Sequence, residues 1–368
     1  MTVEHDATDS LLPITLREPV RGSRWGLEAM EMSGIERIRA AIERRLPDSP
    51  SMRLSGLRPT DVGLGMATYA MPASSWWQLG TGIIPPGTLA FVADAAAGGA
   101  VLTRVDAWSA IATSGLAIDF LRSATVQSET IIARGQVTHS THSLGLAEVF
   151  LEDARGRLLA HGTARCVITD IEPRAGGARD ASRGDPPADV GPDPYLCPLE
   201  GSVRGPEHWN ATSGIDRLRE VAREVYPSPI MRLTGIRVIE VADGEITCGM
   251  PASRWLTNWG GTIYGGAIAL LAEASASAAA LTALPPATAC APLDLKVYYV
   301  RPVQPSDGEI TALSRVVHRG RTIAIVHSEV SAEGKVVAIA NQSLLVLPGR
   351  SWDKPVHVAD EVASDATL

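Results

Sequence analysis

The two halves of the chain carry the same short segments in the same order. Met52-Arg53-Leu54-Ser55-Gly56 returns as Met231-Arg232-Leu233-Thr234-Gly235, and Met71-Pro72-Ala73-Ser74 returns as Met250-Pro251-Ala252-Ser253. Both pairs have the same offset, since 231 − 52 equals 250 − 71. Because solenoid repeats have periods of about 20–50 residues, this much longer offset indicates a duplicated domain. Two copies of one fold in one chain can pack on each other, and a site at their junction would draw on both.

The 368 residues divide into two repeats and three polar segments. We place the repeats at 33–170 and 213–347. Residues 1–32 are interpreted as an N-terminal lead-in and residues 348–368 as a C-terminal tail. The segment 171–212 is rich in Pro, Gly, Arg and Asp, a composition typical of a linker.

Composition limits the classes of partner. A net charge of −8 argues against a nucleic-acid or membrane partner. The four cysteines have no CxxC spacing, so we expect neither a disulfide framework nor a metal site. The first ten residues are polar, and no long apolar run lacks a charge. We therefore expect no signal peptide, no membrane span and a cytoplasmic location.

Each repeat predicts the same order of elements. An amphipathic helix is followed by two short strands, one around Met-Arg-Leu and one before Met-Pro-Ala, then by an Ala-rich helix and further strands. The Ala-rich helices, from Gly87 to Val105 and from Gly266 to about Leu284, are apolar nearly all round. Because a helix without a polar face must be buried, we predict an α+β fold in which an antiparallel sheet wraps around a long central helix.

One carboxylate lies in each Ala-rich helix. Asp94 and Glu273 are equivalent, because 273 − 94 equals the offset of the repeated segments. A buried charge is costly unless it is paired, so its presence at the same place in both copies indicates use, although backbone amides could also satisfy it. The second helix begins after a Gly-rich loop from Asn258 to Gly266. Free N–H groups at a helix start attract anions and can stabilise an oxyanion.

This loop carries a family resemblance. Asn258-x-x-Gly261-x-x-Tyr264-Gly265-Gly266, with Glu273 seven residues on, resembles the N-x-x-G-x-x-H-G-G-x6-D/E segment of hotdog-fold acyl-CoA thioesterases of the phenylacetic-acid-pathway and 4-hydroxybenzoyl-CoA type. The resemblance covers residues 213–347 well and residues 33–168 more weakly. It implies two tandem hotdog domains that pair as an intramolecular pseudo-dimer, and further association into a homodimer.

The resemblance also implies roles for residues. The carboxylate would act as nucleophile or general base on the thioester, and the Gly265 N–H would polarise its carbonyl. Asn258 would orient the substrate or water, and Ser277 matches a hydroxyl position one turn past the carboxylate. The phosphates of CoA would meet Arg301, Arg319 and Arg321. No cofactor is implied beyond the CoA moiety of the substrate.

Helix geometry assigns these parts to two composite sites. Gly265 and Glu273 are eight residues apart, which is about 12 Å along a helix. One thioester carbon cannot contact both, so carboxylate and N–H donor must come from different repeats. The first site combines Asp94 with Asn258, Tyr264 and Gly265. The second combines Glu273 and Ser277 with Leu79, Pro85 and Pro86.

The two sites are not equal, because Pro86 stands at the position of Gly265 and has no N–H to donate. We therefore predict that an acyl-CoA thioester is hydrolysed at the Asp94–Gly265 site without a metal. The alternative is a non-catalytic hotdog module that binds acyl-CoA or scaffolds a partner, favoured by Pro85-Pro86 and by Tyr264 in place of histidine. Double-bond hydration is disfavoured because no histidine lies near the central helices.

Overall fold

The computed structural model describes residues 12–17, 19–171 and 191–349. Its α-helices are α1 (Leu27–Met30), α2 (Gly34–Ile42), α3 (Pro50–Ser55), α4 (Pro86–Leu102), α5 (Pro206–Ala211), α6 (Gly214–Glu224), α7 (Pro229–Thr234) and α8 (Gly265–Thr282). The strands of the first repeat are β1 (Arg58–Gly63), β2 (Met66–Pro72), β3 (Ser109–Phe120), β4 (Thr130–Ser140), β5 (Leu144–Asp153) and β6 (Leu158–Asp170). Those of the second are β7 (Arg237–Ala242), β8 (Glu245–Pro251), β9 (Thr288–Pro292), β10 (Asp294–Tyr299), β11 (Glu309–Arg319), β12 (Ile323–Ala332) and β13 (Lys335–Pro348).

The strands of both repeats form one antiparallel sheet. Its order is β1-β2-β4-β5-β6-β3-β10-β13-β12-β11-β8-β7, and β9 pairs with β13. The repeats meet where β3 pairs with β10, from Asp294 opposite Asp119 to Tyr298 opposite Gly115. The predicted fold of two hotdog domains, each with a sheet around a helix, is confirmed.

The central helices α4 and α8 form the core and pack on each other. Most residues of both helices are buried, as the all-round apolar pattern predicted. By length and composition alone, α8 would qualify as a membrane-crossing helix. Here most of it lies inside the protein, because the sheet of its repeat wraps around it.

The Met-Arg-Leu segments are helical, and the prediction of a strand there is wrong. Met52 lies in α3, and Met231 lies in α7. Proline at the start of each helix already has the φ angle that a helix needs. Gly56 ends α3 with φ +77, a left-handed conformation that glycine adopts without strain. These local signals outweigh the apolar alternation.

The described parts of the segments that precede each repeat contact the other repeat. Trp255 donates its indole N–H to the carbonyl of Arg17 at 2.8 Å. At the equivalent place, Trp76 donates to the carbonyl of Cys197 at 3.0 Å. The described part of the predicted linker, residues 191–212, therefore contains regular structure, including α5. The remainder of the lead-in, linker and tail (1–11, 18, 172–190 and 350–368) lies outside the described residues.

The same crossing continues up to the loops before the central helices. The N–H of Trp25 donates to the carbonyl of Trp259 at 3.0 Å, and the two indoles stack with centroids 3.9 Å apart. Arg204 makes the equivalent backbone bond to Gly80 at 2.7 Å. The segment before each repeat thus holds the loop that precedes the central helix of the other repeat.

Candidate active site

Asp94 lies two turns into α4 and faces the start of α8. Its carboxylate accepts hydrogen bonds from the hydroxyl of Thr113 at 2.7 Å and from the backbone N–H of Gly266. A methyl group placed on Gly265 would lie 2.8 Å from Asp94 Oδ2. Only glycine at that position permits so close an approach of the two repeats. The carboxylate of one repeat therefore touches the helix start of the other.

Glu273 makes the matching arrangement in the opposite direction. Its Oε2 accepts from the backbone N–H of Gly87 at 3.0 Å, and its Oε1 accepts from the hydroxyl of Ser277 at 2.5 Å. The side-chain amide of Gln342 also donates to Oε1, at 3.3 Å. Gly87 and Gly266 are equivalent under the offset of the repeats. Two composite centres therefore exist, each with a carboxylate at the start of the partner helix.

The two helix starts differ in one donor. Gly265 is the first residue of α8, and none of the described residues accepts a hydrogen bond from its N–H. Pro86 is the first residue of α4 and has no N–H. At each start the second residue already donates to a carboxylate. A free N–H therefore remains at the Asp94 centre, whereas the Glu273 centre has none at this position.

The predicted positioning residues are engaged within the protein. Tyr264 donates its phenolic O–H to the carbonyl of Phe91 at 2.5 Å and is buried. The amide of Asn258 donates to Thr262 Oγ1 at 3.0 Å, and its oxygen accepts from the N–H of Gly260 at 2.8 Å. Both side chains shape the loop before α8. The phenol of Tyr264 uses its proton to bond the opposite helix.

Burial dominates the electrostatics of both carboxylates. Desolvation raises the pKa of Asp94 from 3.8 to about 6, against the opposing effect of the hydrogen bonds from Thr113 and Gly266. Desolvation also raises the pKa of Glu273, although Ser277, Gly87 and Gln342 stabilise its ionised form. A carboxyl group with a pKa near 6 is ionised at neutral pH and is still basic enough to accept a proton.

Tyr299 supports the start of α8. Its hydroxyl donates to the carbonyl of Gly265 at 3.0 Å, and this carbonyl belongs to the peptide whose N–H contacts Asp94. Burial, followed by the negative charge of Asp94, raises the pKa of Tyr299. The phenol therefore stays protonated and orients the peptide between Gly265 and Gly266.

The three arginines predicted for CoA do not lie together. Arg301 is exposed and follows β10 just after Tyr299, on the side of the protein where α8 begins. Arg319 ends β11, and Arg321 follows in the next hairpin. This end of β11 lies beside the C-terminus of α8, because Val316 bonds Gly244 and Gly244 bonds Thr282. Arg319 and Arg321 are thus a helix length from Gly265.

A cavity of about 240 Å³ opens beside Glu273. Glu273 and Ser277 line it, together with Pro85, Pro86 and Leu79 of the first repeat. Asp94 and Gly265 are not among its lining residues. The sequence did not predict that this cavity lies beside Glu273.

The two centres differ in the size of a side chain beside the central helix. Cys248 lines the cavity, and Tyr69 stands at the equivalent position of the first repeat, where it is buried. The ring of Tyr69 occupies space beside α4 that only Gly99 leaves open, since a methyl group there would lie 2.7 Å from it. The equivalent of Gly99 is Ala278, which faces the cavity.

Sequence reasoning missed several contacts of the site. Thr113, Tyr299 and Gln342 come from strands distant in sequence, and no motif marks them. Gly87 and Gly266 could have been found, because glycine stands at both equivalent positions. Within the described parts of the chain, no group of three or more His, Cys, Asp or Glu side chains is placed to hold a metal ion.

Both repeats are similar to known proteins. The model of the Thioesterase superfamily matches residues 82–160 and, separately, residues 260–339. A protein of Pseudomonas aeruginosa described as "Putative esterase PA1618" is 28% identical over 142 residues, which are 38% of this chain and 94% of that protein. The structure of a tesB protein from Mycobacterium avium subspecies paratuberculosis covers 86% of this chain and 100% of its own, with a TM-score of 0.52 and 12% identity.

These matches agree with the geometry described above. The tesB likeness supports the tandem fold, and each match to the family model contains the start of one central helix and its carboxylate. Each repeat therefore contains a domain of the thioesterase superfamily, within residues 82–160 in the first and 260–339 in the second.

Proposed function

We propose that this protein hydrolyses an acyl-CoA thioester at the Asp94–Gly265 centre. The observation that carries the proposal is the pairing of a buried carboxylate with a free backbone N–H. Asp94 Oδ2 lies at the start of α8, where no described residue accepts from the N–H of Gly265. Membership of the thioesterase superfamily supports hydrolysis of a thioester.

The reaction uses few groups. The thioester carbonyl accepts a hydrogen bond from the Gly265 N–H, which stabilises the oxyanion that develops as the carbon is attacked. Asp94 takes a proton from the attacking water, the C–S bond breaks, and the departing sulfur takes up a proton. Direct attack by the carboxylate would form an anhydride that water then opens, with the same products. Tyr299 holds the peptide between Gly265 and Gly266, whose N–H bonds Asp94, in position throughout.

Two other parts of the prediction are refined. Asn258 and Tyr264 act by shaping the loop before α8, since their polar atoms bond within the protein. Of the three predicted arginines, Arg301 is on the side where α8 begins, so we propose that it meets the CoA phosphates. A homodimer of the two-repeat chain and independence of metal remain predictions, tested by light scattering and by assay with a chelator.

A thiol-release assay on a panel of acyl-CoA substrates tests the proposal. We expect Asp94→Asn to lower turnover by about 100- to 10,000-fold, because a general base contributes that much. Glu273→Gln is the matched control, since it removes the equivalent carboxylate where Pro86 offers no N–H. Small and equal effects of the two changes would contradict this assignment.

A second candidate is binding of acyl-CoA without turnover. The cavity beside Glu273 favours it, because this cavity adjoins the helix start that lacks the donor. Binding to every member of the panel with no thiol released from any would support this candidate over hydrolysis.

A further inference from the structure

The cavity beside Glu273 lies between the two repeats and is lined mainly by apolar side chains. One wall is the face of α8 that carries Glu273, Ala274 and Ser277. The opposite wall is α6, through Leu218 and Val221. The apolar part of the lining also includes the following residues: Leu79, Ile83, Ile230, Met231, Ile236 and Leu270. Two exposed lining residues, Ser202 and Glu224, mark the side that faces solvent.

We propose that this cavity is a second ligand site, which binds a saturated aliphatic chain and does not hydrolyse the molecule that carries it. The inference rests on the proposed function only in placing hydrolysis at Asp94. Binding itself follows from the cavity alone.

Two buried charged side chains that line the cavity, Glu273 and Arg217, have partners within the protein. The two oxygens of Glu273 accept from Gly87, Ser277 and Gln342, so the carboxylate is satisfied by the protein. Arg217 is buried at the same wall and donates to the carbonyl of Trp209. An apolar chain can therefore fill the space without leaving these groups unpaired.

The Glu273 centre lacks a free backbone N–H that could stabilise the oxyanion during hydrolysis. Pro86 lines the cavity at the position where Gly265 offers an N–H at the other centre. The nearest backbone donor, Gly87, is bonded to Glu273. A thioester carbonyl here would meet no free donor from the helix start, and loss of one such donor slows acyl transfer by about 100- to 1,000-fold.

The volume sets the length of chain. An apolar cavity of about 150 Å³ engineered in another protein binds benzene, a ligand of six carbons. In proportion, a cavity of about 240 Å³ holds about ten carbons. Decanoate, 1-decanol and decanoyl-CoA share such a chain and differ in their head groups. Comparing their binding therefore shows whether the alkyl chain or the head group is recognised.

Titration calorimetry of the full chain with sodium decanoate and with 1-decanol tests the site. We expect one molecule to bind per chain, and Asp94→Asn to leave this binding unchanged. Ala274→Phe, which fills the cavity from α8, should weaken binding at least tenfold. Val221→Trp fills it from α6 and serves as a second variant if the first does not fold. Ala242→Phe adds the same ring at an exposed position and is the matched control.

Thiol release by the same variants separates this inference from the proposed function. We expect both cavity-filling variants to keep the turnover of the best substrate in the panel, and decanoyl-CoA to bind Asp94→Asn and remain intact. The inference is overturned if decanoate and decanol do not bind, or if they bind the filled variants as well as wild type. Turnover that survives in Asp94→Asn and disappears in the filled variants would instead move hydrolysis to this cavity.

Discussion

Asp94→Asn should make the protein more stable at neutral pH while it removes activity. The unfolded chain releases the Asp94 proton near pH 3.8, and the folded chain near pH 6. Between these two pH values the folded state binds more protons than the unfolded state, so the free energy of unfolding falls as the pH rises. Above about pH 6 the loss of stability caused by burying the ionised Asp94 is complete. The difference between the two pKa values corresponds to about 3 kcal/mol.

The substitution also has a cost. An amide has one acceptor oxygen, whereas the carboxylate accepts from both Thr113 and Gly266. Losing one of these hydrogen bonds costs about 1 kcal/mol. We therefore expect a net gain of about 2 kcal/mol at pH 8 and no gain at pH 4, where Asp94 is mostly protonated in the folded state.

Urea denaturation of wild type and Asp94→Asn at pH values from 4 to 8 measures this difference. Glu273→Gln should also be more stable than wild type at pH 8, because burial raises the pKa of Glu273 as well, but it should keep thiol release. The reasoning fails if Asp94→Asn gains nothing at pH 8, or if its gain is the same at pH 4. Either result would mean that Asp94 is not desolvated as its position indicates.

Three further changes address single features of the site. Pro86→Gly in the Asp94→Asn background supplies the missing N–H beside Glu273. We therefore expect the double variant to release thiol at least tenfold faster than Asp94→Asn alone. If activity does not recover, the missing N–H is not what limits hydrolysis beside Glu273. Tyr69→Cys introduces beside Asp94 the residue type that Cys248 contributes to the cavity beside Glu273. This change should raise kcat/KM for octanoyl-CoA relative to acetyl-CoA by about tenfold or more. An unchanged ratio would show that Tyr69 does not limit the length of the acyl chain. Thr113→Val removes a hydroxyl that lowers the pKa of Asp94, so the midpoint of the pH–rate profile should move to higher pH. A midpoint that stays the same or moves to lower pH would contradict the assignment of Asp94 as the titrating base.

Much of the architecture was predictable because duplication repeats a pattern. The constant offset between the repeats aligns Asp94 with Glu273 from the sequence alone. The apolar pattern of α4 and α8 predicted their burial, and helix geometry predicted that carboxylate and donor come from different repeats. These inferences depend only on local periodicity and chain spacing, which the sequence states directly.

Short-range signals were harder to weigh against each other. The Met-Arg-Leu segments have an apolar alternation that fits a strand, but Pro50 and Gly56 bracket the first of them as a short helix. Residues 171–212 have the composition of a linker, but the carbonyl of Cys197 within them accepts a hydrogen bond from Trp76 of the first repeat. Composition does not report a contact between residues so far apart along the chain.

By itself, the sequence determined the duplication, the buried helices, the pair of carboxylates and the missing donor at Pro86. Only the tertiary structure decided that Gly266 and Gly87 contact those carboxylates, and that Thr113 and Gln342 complete them. It also decided that the cavity lies at Glu273. The physical reason is that a cavity is the space left after distant side chains have packed, and packing depends on which strands and helices meet.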